Sequence, residues 1–138
     1  MSGKFVSMKF VAISAAAVIC GSALAQGLPE VKVVATRVVS GAIDAKTVGK
    51  TASGVPVKDV TLSYGVSSAG LDLSTHTGAL AFEQRVKDAA EQACREIGRQ
   101  YPDATPSQAE CAKTAADSAM AQVHAAVAAA EKIRTATK

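Results

Sequence analysis

The sequence predicts an α+β fold in which a small antiparallel β-sheet of two or three strands is followed by a disulfide-linked antiparallel helical hairpin. Three observations support this prediction. Residues 31–39 and 57–64 are rich in β-branched residues, which favour strands. Residues 78–98 and 106–130 carry apolar residues at helical spacing. Each of these two helical segments contains one cysteine, Cys94 and Cys111.

The strand region has two strong segments and one weak one. Residues 31–39 form the first predicted strand, and residues 57–64 form the second. The second strand places its larger apolar residues on one face: Val60, Leu62 and Tyr64. Residues 40–55 contain three glycines and are predicted to be mostly loop, with a short strand near Val48. Because a sheet of two or three strands is not stable alone in water, we expect it to pack against the helices.

The first helix has candidate N-caps at Ser74 and Thr75 and a candidate end at Gly98. Its apolar residues recur every three or four positions: Ala79, Phe82, Val86, Ala89, Ala93 and Ile97. That spacing places them on one face of the helix. Charged residues cover most of the remaining surface, so one face is expected to be buried.

The second helix is predicted to follow a short link over residues 100–105. Thr105 is the candidate N-cap, Pro106 the first helical residue, and Gln108 the residue three positions after the cap. Its apolar side consists almost entirely of alanine: Ala112, Ala115, Ala119, Val123, Ala126 and Ala130. Two helices joined by a short link predict an antiparallel hairpin.

Residues 1–25 have the pattern of a cleavable secretory signal peptide. Two basic residues, Lys4 and Lys9, precede an apolar run that covers residues 10–20. An A-x-A site then predicts cleavage between Ala25 and Gln26. The alternative is a membrane anchor or a buried core helix. The run is shorter than the roughly 20 residues that a membrane-spanning helix needs, which favours a signal peptide.

Cleavage would leave residues 26–138 as one exported domain, with residues 57–133 as its core and residues 26–56 as an N-terminal strand and loop region. The start lies at Met1 or Met8. Cys20 is assigned to the removed segment because Ile19 is too large for the residue before a lipidated cysteine. We therefore expect a periplasmic or secreted protein with no membrane anchor after processing.

Composition narrows the range of partners. The net charge of the whole chain is +3, and two of its lysines lie in the predicted signal peptide, so the exported chain is close to neutral. Its only aromatic residues are Tyr64, Phe82 and Tyr101. A nucleic-acid surface needs clustered cations or aromatic stacking platforms, so we expect no nucleic-acid partner.

The cysteine pair is predicted to be a structural crosslink. Cys94 near the end of one helix and Cys111 near the start of the next would face each other in an antiparallel hairpin. Export leads to an oxidising compartment, where disulfides persist. The alternative is a redox-active pair, but such pairs more often follow a C-x-x-C pattern. Two thiols alone do not complete a metal site, so no metal or other cofactor is expected.

The few reactive side chains form no recognised catalytic motif. Asp72 and His76 lie at the start of the first helix, and with Tyr64 they form the only candidate for a minimal enzymatic site. The alternative is that these residues have structural roles only. Asp72 would then stabilise a turn, His76 would be exposed, and Tyr64 would pack against its neighbours. Gly49-Lys50-Thr51 resembles only the tail of a phosphate-binding loop, whose first glycine is absent. We expect no enzyme activity.

Several short motifs together resemble the UrcA family of small exported proteobacterial proteins. They are Val60-Thr-Leu-Ser-Tyr-Gly-Val66, Leu71-Asp-Leu-Ser-Thr75, Gly78-Ala79, Arg85-Val86, Ala89-Ala90, Cys94, Cys111-Ala112 and the alanine-rich helix to Ala130. The resemblance covers about residues 55 to 131, and Gly70 departs from it because many members have Asp there. It implies export, a paired Cys94 and Cys111, and no assigned activity.

Fold, export and composition together predict a non-enzymatic binding protein with a protein partner. A small-ligand or metal carrier is the first alternative, and an enzyme with a minimal site near the start of the first helix is the second. The sequence predicts neither the partner nor the oligomeric state.

Overall fold

The computed structural model describes residues 27–41 and 46–138, in which three strands precede two helices. The elements are β1 (Glu30–Ser40), β2 (Lys46–Lys50), β3 (Pro56–Ser67), α1 (His76–Gln100) and α2 (Gln108–Ala136). The α+β prediction is confirmed, including the short strand near Val48. The predicted signal peptide, with Ala25 and Gln26 at its cleavage site, lies outside the described residues.

The sheet is antiparallel and has the order β1-β3-β2. β1 pairs with β3 without interruption from Glu30 opposite Ser67 to Ser40 opposite Val57. Every second residue of β1 is buried on the face toward the helices: Val31, Val33, Ala35, Arg37 and Val39. β2 pairs only with β3, and its register shifts between Thr47 and Gly49. β1 and β2 are therefore the two edges of the sheet.

Both helices pack on the same face of the sheet, where they form one hydrophobic core with β1 and β3. Phe82 and Val86 of α1 and Val123 of α2 are completely buried there. The α2 contribution is otherwise mostly alanine: Ala112, Ala115 and Ala119, which the sequence predicts, and Ala116, which it did not single out. Small side chains let the two helices approach each other and the sheet closely.

Glycine is required at two positions around the start of α1, one before the helix and one in its first turn. Gly70 has a φ of +75°, a conformation that other residues rarely adopt. A Cβ on Gly78 would lie 2.6 Å from the backbone carbonyl carbon of Asp72. The first turn of α1 therefore packs directly on the preceding backbone, and Thr75 caps it by accepting a 3.1 Å hydrogen bond from the Gly78 amide.

The ends of the two helices differ from the sequence prediction. α1 passes Gly98 and ends at Gln100. The prediction of Thr105 as N-cap of α2 was wrong, because Thr105 pairs with Val38 of β1 through backbone hydrogen bonds of 2.6 and 2.9 Å. The Thr105–Pro106 bond is cis, and the N-cap is Ser107. A residue paired to the sheet edge cannot also begin the helix.

Candidate functional site

The predicted crosslink is present: Cys94 of α1 is bonded to Cys111 of α2, with 5.9 Å between their Cα atoms. Both residues are buried in the core. The bond joins the last turns of α1 to the first turn of α2, next to the link between the helices. It thus fixes the closed end of the hairpin.

Arg37 holds that same link against the sheet. It lies on the core face of β1 with only 4% of its surface exposed. Its Nε donates a 2.8 Å hydrogen bond to the Pro106 carbonyl, and its Nη2 donates to the Ala104 carbonyl. A Cβ on Gly98 would lie 2.8 Å from its Nη1, so α1 also passes close to the guanidinium. One side chain of the first strand therefore organises the junction of both helices.

The sequence prediction did not identify Arg37 as a functional or structural residue. The signal was present, because Arg37 is the one charged residue at a core-facing position in the period-two pattern of residues 31–39. A charge at such a position is buried only when hydrogen-bond acceptors surround it. Those acceptors belong to a link almost 70 residues further along the chain, which the local pattern does not reveal.

The candidate enzymatic residues lie in different structural settings. The Asp72 carboxylate accepts hydrogen bonds from the Ser74 amide (3.0 Å) and hydroxyl (2.7 Å), and these bonds hold its pKa below the usual value. His76 is the exposed first residue of α1. Tyr64 lines a shallow cleft of about 240 Å³ between β1, β3 and α2, and neither Asp72 nor His76 lines it. In this arrangement Asp72 has the hydrogen bonds of a turn residue.

Two other polar side chains also have partners. Arg85, on the exposed side of α1, donates to the carbonyls of Ser67 (3.2 Å) and Ala69 (2.9 Å). The Nε2 atom of His124 on α2 lies 4.0 Å from a carboxylate oxygen of Glu83 on α1. Within residues 27–41 and 46–138, no three potential ligands among His, Cys, Asp and Glu are grouped closely enough to hold a metal ion.

A cleft of about 580 Å³, which we call the hairpin groove, lies between α1 and α2. Its alanines are Ala109, Ala112 and Ala116. Its charged residues are Lys87, Glu91, Lys113 and Asp117. Lys113 donates a 2.7 Å hydrogen bond to Asp117, which raises the pKa of the lysine. The charges balance, so the groove shows no preference for a charged ligand.

A second cleft follows the edge of β1 that faces away from β3. Near both ends of the strand, the backbone groups of this edge are already hydrogen-bonded to other parts of the chain. Near the start of the strand, the Lys32 amide donates to the side-chain oxygen of Gln122, whose amide donates back to the Lys32 carbonyl, both at 3.1 Å. Near the end of the strand, Val38 makes the two backbone hydrogen bonds with Thr105. Both Lys32 and Val38 therefore direct their backbone groups away from β3.

Val34 and Thr36 lie between those two closed points and face the same way. No register shift interrupts β1, so backbone groups alternate along it and those of Val34 and Thr36 also point away from β3. Within the described part of the chain, nothing pairs with these outward groups. They border a cleft of about 390 Å³, the edge slot, whose other wall is formed by Pro106, Cys111, Thr114, Ala115 and Ser118.

Comparison of the chain with protein-family models, with curated proteins and with solved structures finds no match in any of the three. Neither described helix has a stretch long and apolar enough to cross a membrane. The two larger of the clefts described above, the hairpin groove and the edge slot, are the candidate binding sites.

Proposed function

We propose that this chain is an exported, non-enzymatic binding protein of the UrcA type, which uses the edge slot to bind a protein partner. The slot is the observation that carries the proposal. It combines unpaired backbone donors and acceptors at Val34 and Thr36 with a wall formed by the start of α2. Unpaired backbone groups at a sheet edge are a common template for binding another chain.

The rest of the scaffold supports such a role. The Cys94–Cys111 bond and the buried Arg37 hold α2 in a fixed position beside β1. A preformed cleft loses less conformational entropy on binding than a flexible one. The closed disulfide also supports export, because disulfides persist in the periplasm and outside the cell.

The proposal is tested by photocrosslinking in a proteobacterial host. A photoreactive amino acid replaces Ser118 in the edge slot, Lys113 in the hairpin groove, or Gln84, which lines neither cleft. We expect a discrete crosslinked product from position 118 and none from position 84. The intact mass of the purified protein should correspond to a start at Gln26 and to one disulfide.

The outcomes are separable. Crosslinking at position 113 alone would support a binding function but would place the binding site in the hairpin groove. Equal crosslinking at positions 118 and 84, or none at any position, would contradict the proposed function. An intact mass that includes residues 1–25 would contradict export with cleavage.

A further inference from the structure

We propose that the edge slot binds an extended peptide segment of the partner, which adds to β1 as an antiparallel strand. This inference rests on the proposed function and specifies the chemical class of the ligand. Its basis is the hydrogen-bond pattern of the β1 edge together with the part of α2, up to Gln122, that runs beside that edge. Strand addition to an exposed edge is an established mode of peptide recognition.

The edge presents the groups that a strand requires. Val34 and Thr36 each direct one N–H and one C=O outward, with one residue between them. In an antiparallel ladder, two residues of the incoming strand, also separated by one residue, would pair with all four groups. A segment of three residues therefore satisfies the open part of the edge.

The protein already begins such a strand itself. Thr105 makes the two-bond antiparallel pair with Val38, directly next to the open positions. The chain then leaves this line, because Ser107 caps α2. A guest segment would continue this line, and the Val38–Thr105 pair shows that the edge accepts an antiparallel partner at the neighbouring position.

α2 supplies a second wall of suitable length. From Ser107 to Gln122 the helix rises about 22 Å. The strand from Lys32 to Val38 spans about 20 Å. The helix and the strand edge are joined near both ends, through Gln122 and Thr105, and the cleft lies between them. The guest would thus lie between a strand and a helix, and longer peptides would leave through the open side of the slot.

The lining predicts the composition of the guest. None of its side chains is charged, and three carry hydroxyl groups: Thr36, Thr114 and Ser118. The other wall residues are small or apolar, among them Ala115 and Pro106. A buried charge without a partner is costly, so charged residues are disfavoured in the guest. We expect small or β-branched residues such as Thr, Val, Ser and Ala at its centre.

The test uses a phage-displayed library of random octapeptides, selected against the exported and oxidised protein. We expect the enriched peptides to share a central uncharged segment rich in β-branched residues. On binding of a synthetic selected peptide, hydrogen exchange should slow at the amides of Val34 and Thr36. Ala35 is the internal control because its amide faces β3 and is already protected.

Two variants with a matched control connect binding to the slot. Val34→Pro removes an outward N–H that the sheet does not use, so the fold is retained while affinity falls about fivefold to tenfold. Val34→Ile keeps the N–H and should bind normally. Ser118→Trp fills the slot from an exposed helix position and should abolish binding, which provides a test independent of the proline.

Clear results would overturn the inference. They are the absence of enriched peptides, unchanged affinity in both Val34→Pro and Ser118→Trp, or unprotected Val34 and Thr36 amides in the complex. A concentration-dependent dimer that protects the same two amides would make a second copy the occupant and would also overturn it. The photocrosslink at position 118 is independent of these results, so partner binding can stand even where strand addition fails.

Discussion

Arg37 determines how the two helices meet the sheet. Its guanidinium is buried and hydrogen-bonds to carbonyls of Ala104 and Pro106, which belong to the link between the helices. Without Arg37, both carbonyls would lose the hydrogen-bond donor that the guanidinium supplies. The link also carries Thr105, which closes one end of the edge slot. A single residue thus connects stability with the geometry of the candidate site.

Replacement of Arg37 should destabilise the protein much more than a matched surface replacement. Arg37→Met retains most of the apolar stem and removes the hydrogen bonds, so we expect a loss of about 2–3 kcal/mol in the free energy of unfolding. Urea denaturation measures this loss.

Arg85→Met is the control because Arg85 also donates to two backbone carbonyls but is exposed to solvent. We expect it to cost less than about 1 kcal/mol, since water replaces those bonds. Equal losses in the two variants would contradict the structural role of Arg37.

At the scale of the element, the start of α2 depends on the capping box formed by Ser107 and Glu110. The Ser107 hydroxyl accepts a hydrogen bond from the Glu110 amide (3.3 Å), and the Glu110 carboxylate accepts from the Ser107 amide (3.2 Å) and hydroxyl (2.8 Å). These bonds lower the pKa of Glu110. The box fixes the position at which α2 leaves the link and runs beside β1.

The lowered pKa predicts a dependence on pH. Because Glu110 has a lower pKa in the folded state, its stabilisation is complete above the ordinary glutamate pKa of about 4.3 and is lost as the pH falls through the folded value. Glu110→Gln keeps a hydrogen-bonding side chain at this position and does not titrate. The difference in Tm between wild type and Glu110→Gln should therefore narrow from pH 7 to pH 3, as measured by circular dichroism.

Ser107→Ala provides the matched control for the cap itself. Loss of an N-cap side chain costs about 1 kcal/mol, so its Tm should lie below that of wild type at pH 7. A difference between wild type and Glu110→Gln that stays constant across the pH range would show that the Glu110 carboxylate does not stabilise α2.

For the molecule as a whole, the disulfide compensates for a small core. Most of the α2 side of the core is alanine, and Phe82 is the only fully buried aromatic residue in the described part of the chain. The bond closes a segment with a sequence separation of 17 residues. In the chain-entropy account, a loop of this size contributes about 3 kcal/mol.

Reduction should therefore lower the stability of the protein by about 3 kcal/mol. Urea denaturation with and without reductant measures the change. The double variant Cys94→Ala/Cys111→Ala should agree with the reduced wild type to within about 1 kcal/mol, since alanine leaves only a small cavity at each position. Unchanged stability after complete reduction would exclude the structural role.

The sequence by itself determined the types of element, their order and the cysteine pair. Periodicity is a local property, so the alternation in residues 57–64 and the helical spacing around Phe82 and Val123 predicted which faces pack on the core. The disulfide was predictable because a short link restricts how two helices can meet.

Only the tertiary structure decided the N-cap of α2, the role of Arg37 and the edge slot. Each depends on contacts between β1 and residues far along the chain: Arg37 with Ala104 is a separation of 67 positions, and Lys32 with Gln122 a separation of 90. Thr105 has the local features of an N-cap, but its pairing with Val38 moves the cap to Ser107. Sequence periodicity carries no information about which distant residues come into contact. Such contacts can therefore be identified only in the folded structure.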